Sequence, residues 1–225
     1  TFTTWNVNIA KVEQAEIKRN NFKSLAFVPL NLEDCRNAEI SQNQFTYRFG
    51  SAVQFMCPEA GNSSLTFENN FTETATTGGH TLLFTGSGIE QSSLFFHHNT
   101  SRNGQGTVQI SEATSSCYNN IFTGTSRAVQ LTSSAGTAIT MDGNLYSITN
   151  GSAAVRIGNT SYDLDEWQTE SGQDSNSLEH DVAFAMETGY ETEDPLVDGL
   201  QSQVATSEIS GVDIEGNQRS SLTPD

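Results

Sequence analysis

Positive charge is the scarcest feature of this sequence. Its 225 residues include 10 lysines and arginines against 27 aspartates and glutamates, which gives a formal net charge of −17. Proteins that bind nucleic acid or anionic membranes rely on clustered positive charge, so neither is expected as a partner. The same charge makes an acidic polysaccharide harder to hold. We interpret the one basic cluster as a solvated edge; its members are Lys11, Lys18, Arg19 and Lys23.

Long apolar runs are missing as well. No stretch approaches the ~18 residues of a membrane-spanning helix, so no membrane insertion is expected. No signal-peptide pattern opens the sequence; in a secreted protein that segment would have been removed or would lie upstream. Strong helix formers are few, whereas Thr, Ser, Asn and Gly are common, which favours an all-β chain with many turns. We expect a soluble protein that is secreted or held at the cell surface.

A short pattern recurs along the chain. It consists of an apolar or small residue, any residue, another apolar or small residue, two further residues and an asparagine. It ends at six asparagines that follow one another at intervals of 23, 27, 29, 21 and 24 residues: Asn20, Asn43, Asn70, Asn99, Asn120 and Asn144. Two positions after each of them stand Phe22, Phe45, Thr72, Ser101, Phe122 and Tyr146. Repeats at this interval are typical of stacked structural units.

A second column lies between these asparagines. Each member is an apolar residue, any residue and another apolar residue, the period-2 pattern of a half-buried strand. The seven members are VNI (7–9), LAF (25–27), VQF (53–55), LLF (82–84), VQI (108–110), VQL (129–131) and VRI (155–157). Helical repeats would show a period of 3.6, and propeller blades need about 40 residues each. The remaining solution is a parallel β-solenoid of about seven coils over residues 1–160.

The two columns give the asparagines a structural role. An asparagine at a tight bend can adopt the left-handed conformation, and its amide can bond the equivalent asparagines above and below. The aromatic side chains two positions later are predicted to stack inside the coils. The same alignment places Cys117 inside, as a buried thiol. Cys35 and Cys57 fall in one loop of consecutive coils, where they either form a disulfide or remain apart.

These repeats resemble the right-handed parallel β-helix proteins of the pectin-lyase-like superfamily over nearly the whole chain. Three later segments are similar to the closing stretches of bacterial secreted or surface members: YDLDEWQTESGQDSNS (162–177), DPLVDG (194–199) and DIEGNQRSSLTPD (213–225). In such proteins an apolar run usually follows the final Pro-Asp. We therefore expect the true C-terminus to lie beyond Asp225. Because the sequence also begins within a coil, we expect it to be the C-terminal portion of a longer chain, or a stack whose N-terminal end is covered by additional coils or a partner chain.

The segment after the coils is predicted to begin with a short helix. Asp163 and Glu166 have capping-box spacing, Leu164 and Trp167 share one helix face, and Gly172 ends the helix. Residues 161–225 as a whole are expected to form an irregular C-terminal capping segment.

The outward side of the first strand carries the candidate ligand-binding residues. The middle residues of the seven predicted strands are Asn8, Ala26, Gln54, Leu83, Gln109, Gln130 and Arg156. Polar side chains stacked about 4.8 Å apart can hydrogen-bond sugar hydroxyl groups, and we predict this role for Gln54, Gln109, Gln130 and Arg156. The alternative is a ladder of amides that satisfy one another. Long loops in coils two to four are predicted to wall a cleft over this face.

Acidic residues follow the same strands, at Glu33, Asp34, Glu59, Glu90 and Glu112. Stacked on one side, they would hold Ca²⁺ or supply paired carboxylates for glycoside hydrolysis. Glu59, Glu90 and Glu112 are the candidate calcium ligands; scattered solvated acids are the alternative, in which case there is no cofactor.

Histidines offer little further chemistry. His80 and Arg102 are a candidate catalytic pair, because they are predicted to face each other across the groove. His97 and His98 lack a third ligand at metal-binding spacing, which argues against zinc.

Two classes of function remain. The first is an extracellular polysaccharide-binding module, whose full-length form would belong to a polysaccharide lyase or a glycoside hydrolase. The Asn-Thr-Asp, paired-Asp and Gly-His-Gly motifs of polygalacturonase-like hydrolases are absent, as is the Arg-x-Pro-x-x-Arg motif of pectate lyases, so catalysis stays open. The second is a non-catalytic surface stalk or adhesin that uses the solenoid as a rigid spacer. A trimeric phage-type spike is a more remote third.

Overall fold

A computed structural model describes residues 2–3, 6–24, 28–58, 62–74, 79–86, 92–102, 106–111, 113–123, 127–132, 138–147 and 153–180. In these residues the chain forms a parallel β-solenoid. Each coil consists of three short strands, and each strand pairs with the equivalent strand of the next coil. The all-β solenoid predicted from the repeats is confirmed.

Three sheets run along the solenoid. The first sheet contains, in spatial order, β2 (Val7–Ala10), β5 (Leu30–Glu33), β8 (Ser51–Cys57), β11 (His80–Gly86), β14 (Gly106–Ile110), β17 (Arg127–Leu131), β20 (Ala153–Ile157) and β21 (Thr160–Tyr162). The second contains β3 (Gln14–Lys18), β6 (Asn37–Ser41), β9 (Ser64–Glu68), β12 (Ser93–His97), β15 (Thr114–Tyr118) and β18 (Ala138–Asp142). The third contains β1 (Phe2–Thr3), β4 (Asn21–Ser24), β7 (Gln44–Tyr47), β10 (Phe71–Thr74), β13 (Thr100–Arg102), β16 (Ile121–Thr123), β19 (Leu145–Ser147) and β22 (Leu178–Glu179).

The solenoid makes about five full turns rather than the predicted seven. The second sheet has six strands, and six strands are joined by five coil-to-coil steps. The seventh predicted coil does not close, because β20 is followed by β21, which pairs with it antiparallel, and then by a helix.

The predicted strand of the second coil was misplaced. The sequence pattern put it at 25–27, which lies outside the described residues, whereas the structure has β5 at Leu30–Glu33. Leu30 pairs with Val7 on one side and with Val53 on the other. Both segments read apolar, any residue, apolar, and a period-2 pattern alone does not decide between two such candidates so close in sequence.

The asparagine ladder forms as predicted. The backbone N–H and side-chain Nδ2 of Asn43 both donate to Oδ1 of Asn70, at 3.0 and 3.1 Å. Nδ2 of Asn43 also donates to the carbonyl oxygens of Ile17 and Ser41. The paired bonds to the next Oδ1 repeat at every step of Asn20, Asn43, Asn70, Asn99, Asn120 and Asn144. Each rung thereby satisfies polar groups that are buried from water.

The predicted left-handed conformation of these asparagines was wrong by one position. Positive φ angles of 52° to 64° belong to the residue before each of them: Arg19, Gln42, Asn69, His98, Asn119 and Gly143. That preceding residue makes the bend. Its N–H group donates to the next coil, as the N–H of Gln42 does to the carbonyl oxygen of Glu68 at 3.3 Å. The asparagine side chain is then free to point into the lumen.

Aromatic rings form a continuous stack inside the coils, as predicted, but the second and third sheets both contribute to it. Six rings follow one another with centroid distances of 4.8 to 6.3 Å, in the order Phe22, Phe45, Phe67, Phe96, Phe122 and Tyr146. Where the third sheet has the small residues Thr72 and Ser101, the second sheet supplies Phe67 and Phe96. In the other coils the second sheet supplies smaller residues, such as Cys117. This stack thereby keeps one ring per coil, and Phe55 and Phe84 of the first sheet form a second stacked pair with centroids 5.4 Å apart.

The predicted helix caps the C-terminal end of the first sheet. Helix α1 (Leu164–Ser171) begins after Asp163, whose side chain accepts from the N–H of Glu166 in a capping box, and it ends at Gly172, which has a φ of 69°. Leu164 and Trp167 are its buried residues. The helix prediction is confirmed; positions 194–199 and 213–225 lie outside the described residues.

Asp174 ends the asparagine ladder. It is 1% exposed, and its carboxylate accepts four hydrogen bonds: from Asn144 Nδ2 and Ser177 Oγ on Oδ1, and from Tyr146 Oη and Trp167 Nε1 on Oδ2. Ser177 Oγ accepts from the backbone N–H of Asn144 at 2.8 Å. Asp174 and Ser177 together replace the asparagine that the next coil would have supplied.

Candidate functional site

The outward residues of the first sheet form one continuous column, which we call the amide stripe: Asn8, Asn31, Gln54, Leu83, Gln109, Gln130 and Arg156. Each is the direct register neighbour of the next. Asn8 is exposed and the other six are half-buried. The structure therefore brings the predicted residues Gln54, Gln109, Gln130 and Arg156 onto one face. Only the second-coil member differs, since Asn31 stands where the sequence had placed Ala26.

The stripe does not satisfy its own hydrogen bonds in the way the ladder does. The side-chain amides of Gln54 and Gln109 make no hydrogen bond to any described residue, and Oδ1 of Asn31 is buried without a described partner. Leu83 separates the amides of Gln54 and Gln109 by one rung. Gln130 Oε1 accepts from Arg127 Nη1 at 2.8 Å. The side-chain amides of Gln54 and Gln109 are half-buried and have no such bonds, so their exposed parts are available to a ligand.

A groove of about 540 Å³ borders the stripe. It lies where the chain passes from the first sheet to the second, and its lining residues are Lys11, Val12, Glu13, Glu33, Asp34, Arg36, Met56, Cys57, Pro58 and Gly86. Glu33 and Met56 stand two positions after Asn31 and Gln54 and point to the same side. The groove thus opens onto the stripe in coils one to four, which overlaps the region where the cleft was predicted.

The groove carries charges of both signs on a rigid backbone. Arg36 Nε lies 3.7 Å from Glu13 Oε1. Lys11 and Asp34 have positive φ angles of 57° and 53°, and each donates its N–H to the next coil. Gly86 has a φ of 141°, and a Cβ there would lie 2.5 Å from the backbone nitrogen of Cys57. No other residue fits at position 86, so the chain is held tightly against this wall of the groove.

The predicted calcium ligands are not tested by the structure. Glu59, Glu90 and Glu112 all lie outside the described residues. Glu33 and Asp34 line the groove, but no three His, Cys, Asp or Glu side chains gather closely enough to hold a metal ion in the part of the chain that is described. Calcium binding stays a prediction.

The candidate catalytic residues belong to different sheets. His80 is the first residue of β11 in the first sheet. Arg102 is the last residue of β13 in the third sheet, and its Nη1 lies 3.5 Å from Oε1 of Glu73, its register neighbour. Arg102 is therefore engaged with a carboxylate of its own sheet, and a joint role with His80 stays a prediction.

Of the two outcomes left open for Cys35 and Cys57, the structure has the one without a disulfide. Cys35, Cys57 and Cys117 are free, buried thiols. Cys35 Sγ lies 3.6 Å from the carbonyl oxygens of Ile9 and Glu33, whereas Cys57 ends β8. Burial raises the pKa of all three thiols, which makes them unreactive. Cys117 stands inside the coil, as predicted.

Sequence reasoning missed an aromatic patch on the outer face of the second sheet. Phe95 is 38% exposed, and its ring lies 6.2 Å from that of His97, which in turn lies 5.2 Å from that of Tyr118. Burial lowers the pKa of His97 to about 4, so its ring is neutral at pH 7 and Nε2 pairs with Ser116 Oγ at 2.8 Å. The signal was the alternation of Phe95, His97 and Tyr118 on the outward positions of neighbouring coils.

It also missed Arg127, which lies beside the stripe on β17. Its guanidinium reaches Gln130, and burial together with the positive charge of Arg156 lowers the pKa of Arg127. A position three residues before a stripe member had no reason to be chosen from the periodicity alone.

Comparison of the chain with protein-family models, with curated proteins and with solved structures found no match. What the fold and the site define is a parallel β-solenoid with a polar outer stripe and a bordering groove. Membership of the pectin-lyase-like superfamily stays a prediction from the repeat. No helix in the described ranges is long and apolar enough to cross a membrane.

Proposed function

We propose that the protein is an extracellular polysaccharide-binding module and that the outer face of the first sheet is its binding surface. The observation that carries the proposal is the amide stripe, in which five of the seven positions are Asn or Gln and successive positions are about 4.8 Å apart. A sugar polymer presents hydroxyl groups at regular intervals along its length. An amide group both donates and accepts hydrogen bonds, so one side chain can bind a hydroxyl group as donor or as acceptor.

The state of the amides supports binding rather than self-pairing. The side-chain amides of Gln54 and Gln109 have no hydrogen-bond partner among the described residues. A half-buried amide gains more from a ligand than a fully solvated one, because part of its hydration is already lost. The rigid ladder beneath the sheet holds these groups in position without further ordering, which lowers the entropy cost of binding.

The position of the groove also supports the outer face of the first sheet as the binding surface. It adds Glu33 and Arg36 beside the stripe, and a concave wall next to a polar column restricts where a polymer can lie. The proposal extends to a secreted or cell-surface location, and to a full-length protein in which this module delivers a lyase or hydrolase to its substrate.

The test is binding to a panel of polysaccharides, measured by affinity electrophoresis and calorimetry. The panel contains arabinoxylan, glucuronoxylan, agarose, carrageenan and galactomannan, each with and without Ca²⁺. We expect the parent to bind at least one polymer and the Gln54→Ala/Gln109→Ala variant to bind it about tenfold more weakly, since two hydrogen bonds of about 0.5–1.5 kcal/mol each are lost. Unfolding by urea checks that the variant keeps its fold.

A matched control removes polar side chains from another face. Thr66→Ala/Thr140→Ala changes two outward residues of the second sheet and should leave binding unchanged. If the double glutamine variant bound every polymer as the parent does, the binding surface would lie elsewhere and the proposal would be wrong.

A rigid stalk or adhesin is the second candidate, and the continuous interior favours it. The asparagine ladder and the ring stack run unbroken from Asn20 and Phe22 to Asp174, which is what a stiff spacer needs. A stalk would tolerate every substitution on the amide stripe, so the same panel separates the two functions.

A further inference from the structure

Two arginines lie on neighbouring strands at the C-terminal end of the amide stripe. Arg127 begins β17, and Arg156 stands on β20 as the register neighbour of Gln130. Arg127 Nη1 donates to Gln130 Oε1 at 2.8 Å. The guanidinium of Arg127 therefore lies over Gln130, one strand away from Arg156, and both arginines are half-buried.

Neither arginine has a carboxylate partner in the described chain. The ion pairs among those residues involve Lys18, Arg36 and Arg102. Arg156 donates from Nε to the carbonyl oxygen of Gly158 at 2.9 Å and from Nη2 to Asn159 Oδ1 at 3.4 Å, and both of these acceptors are uncharged. In a chain with 27 acidic residues and only 10 basic ones, two neighbouring arginines without an acid are unexpected.

Most of the donors in this pair remain unused. A guanidinium has five N–H groups in a planar fork that matches carboxylate and sulfate oxygens. Arg127 uses one of them on a neutral acceptor, and the two bonds of Arg156 fix its guanidinium beside the stripe. Burial and the charge of Arg156 both disfavour the protonated form of Arg127. An anion between the two guanidinium groups would remove this repulsion and fill the free donors.

We propose that Arg127 and Arg156 form a subsite for a carboxylate or sulfate group carried by the bound polysaccharide. This subsite rests on the proposed function and adds a ligand class to it: a polymer that is neutral along Asn31, Gln54 and Gln109 and acidic at the Arg127 rung. The net charge of −17 disfavours a polymer with an anion on every sugar. A polysaccharide with widely spaced acidic groups fits both the arginine pair and the negative charge of the protein.

The test uses two pairs of polymers with related backbones, two xylans and two galactans. Glucuronoxylan carries spaced carboxylates and arabinoxylan carries none; carrageenan carries sulfates and agarose carries none. We expect the parent to bind the charged member of one pair about tenfold more tightly or better, as charge-assisted hydrogen bonds are worth about 1.5–3 kcal/mol. The pair that shows the preference identifies the source as carboxylate or sulfate.

Arg127→Gln and Arg156→Gln should each abolish this preference. Arg127→Lys should restore only part of it, because lysine keeps the charge and loses the fork. The matched control is Arg48→Gln, which removes the same charge from an exposed position and should keep the preference. Urea unfolding confirms that each variant is folded.

The outcomes separate the subsite from the function on which it rests. If the parent bound both members of each pair equally, or if folded Arg127→Gln kept the preference, the subsite would be wrong while binding through Gln54 and Gln109 stood. If the parent bound none of the four polymers or the galactomannan, the proposed function would fail and the subsite with it.

Discussion

The solenoid carries two polar columns that rise along the same coils, the asparagine ladder inside and the amide stripe outside. Inside, the side chain of Asn43 makes five hydrogen bonds, all to residues of the protein. Outside, the side-chain amide of Gln54 lies in the same coils and makes no hydrogen bond to the described residues. Side chains of nearly identical chemistry are thus fully engaged on one side of the backbone and unengaged on the other.

This difference assigns the columns to different tasks. A buried amide whose partners are all in place stabilises the fold. Its loss leaves several buried polar groups without a hydrogen-bond partner. A half-exposed amide without partners adds little to stability and can bond a ligand. The predictions below test whether stability and binding separate along this line, beginning with the largest expected effect.

Asn43→Ala should lower the free energy of unfolding by about 3–5 kcal/mol, because each buried group that loses its partner costs about 1–3 kcal/mol. The carbonyl oxygens of Ile17 and Ser41 and the N–H groups of Asn20 would be left behind. Urea denaturation measures the change. Gln54→Ala is the control from the other column and should cost no more than about 0.5 kcal/mol; equal losses for the two variants would erase the distinction between the columns.

The ring stack tests how the interior is filled. Phe67→Ile should cost about 1–3 kcal/mol, because it leaves a cavity in the third coil. Adding Thr72→Phe reproduces the composition of the coil below, where Ile40 faces Phe45, and should recover at least half of the loss. Thermal and urea unfolding of the single and double variants give the coupling. Losses that simply add would show that the two sheets do not complement each other.

Asp174 tests the end of the ladder by its pH dependence. Burial outweighs its four hydrogen bonds and raises the pKa of Asp174. Because the folded-state pKa lies above the unfolded value of about 3.9, the ionised carboxylate costs stability at neutral pH. That cost disappears as the pH falls through the folded-state pKa. The stability of the parent relative to Asp174→Asn should therefore rise as the pH falls from neutral towards the unfolded-state value.

The control for that comparison is Asp163→Asn, whose side chain caps α1 from an exposed position; its stability relative to the parent should not follow the Asp174 profile. A relative stability of the parent that fell with pH would mean that the hydrogen bonds, and not burial, dominate at Asp174.

Leu83→Gln should have the smallest effect on the fold and a favourable one on binding. Leu83 is half-buried and interrupts the amides between Gln54 and Gln109. A glutamine there should strengthen polysaccharide binding by about two- to fivefold, the value of one net hydrogen bond, with stability within about 0.5 kcal/mol of the parent. Calorimetry with the polymer that the parent binds measures the change in affinity. Weaker binding would mean that the ligand does not lie along the amide stripe.

The sequence predicted the inner column better than the outer one. Asn43 and its equivalents recur because every coil has the same orphan backbone groups to satisfy, so the repeat is visible without a structure. The helix could be predicted equally well, since Asp163, Glu166 and Gly172 act through local backbone geometry. The ring stack was only half predicted, because Phe67 compensates for Thr72 across the lumen and no local pattern reports such a contact.

The outer column depends on strand register, and there the sequence was ambiguous. Residues 25–27 and Leu30–Glu33 show the same alternation, and only pairing with Val53 selects the second. Asn31 was missed for that reason. Arg127 was missed because its relation to the stripe is a side-chain contact with Gln130, which periodicity cannot show. The positive φ angle fell on Gln42 rather than Asn43, a one-residue shift that turn propensities do not resolve.

Side-chain amide NMR during a titration with the bound polysaccharide tests the division between the columns most directly, because both columns report through the same NH₂ signals. The amide resonances of Asn31, Gln54 and Gln109 should shift with the ligand concentration, while those of Asn43 and Asn70 should stay in place. Shifts confined to the ladder, or a stripe that does not respond while the polymer is bound, would contradict the assignment of binding to the outer face of the first sheet.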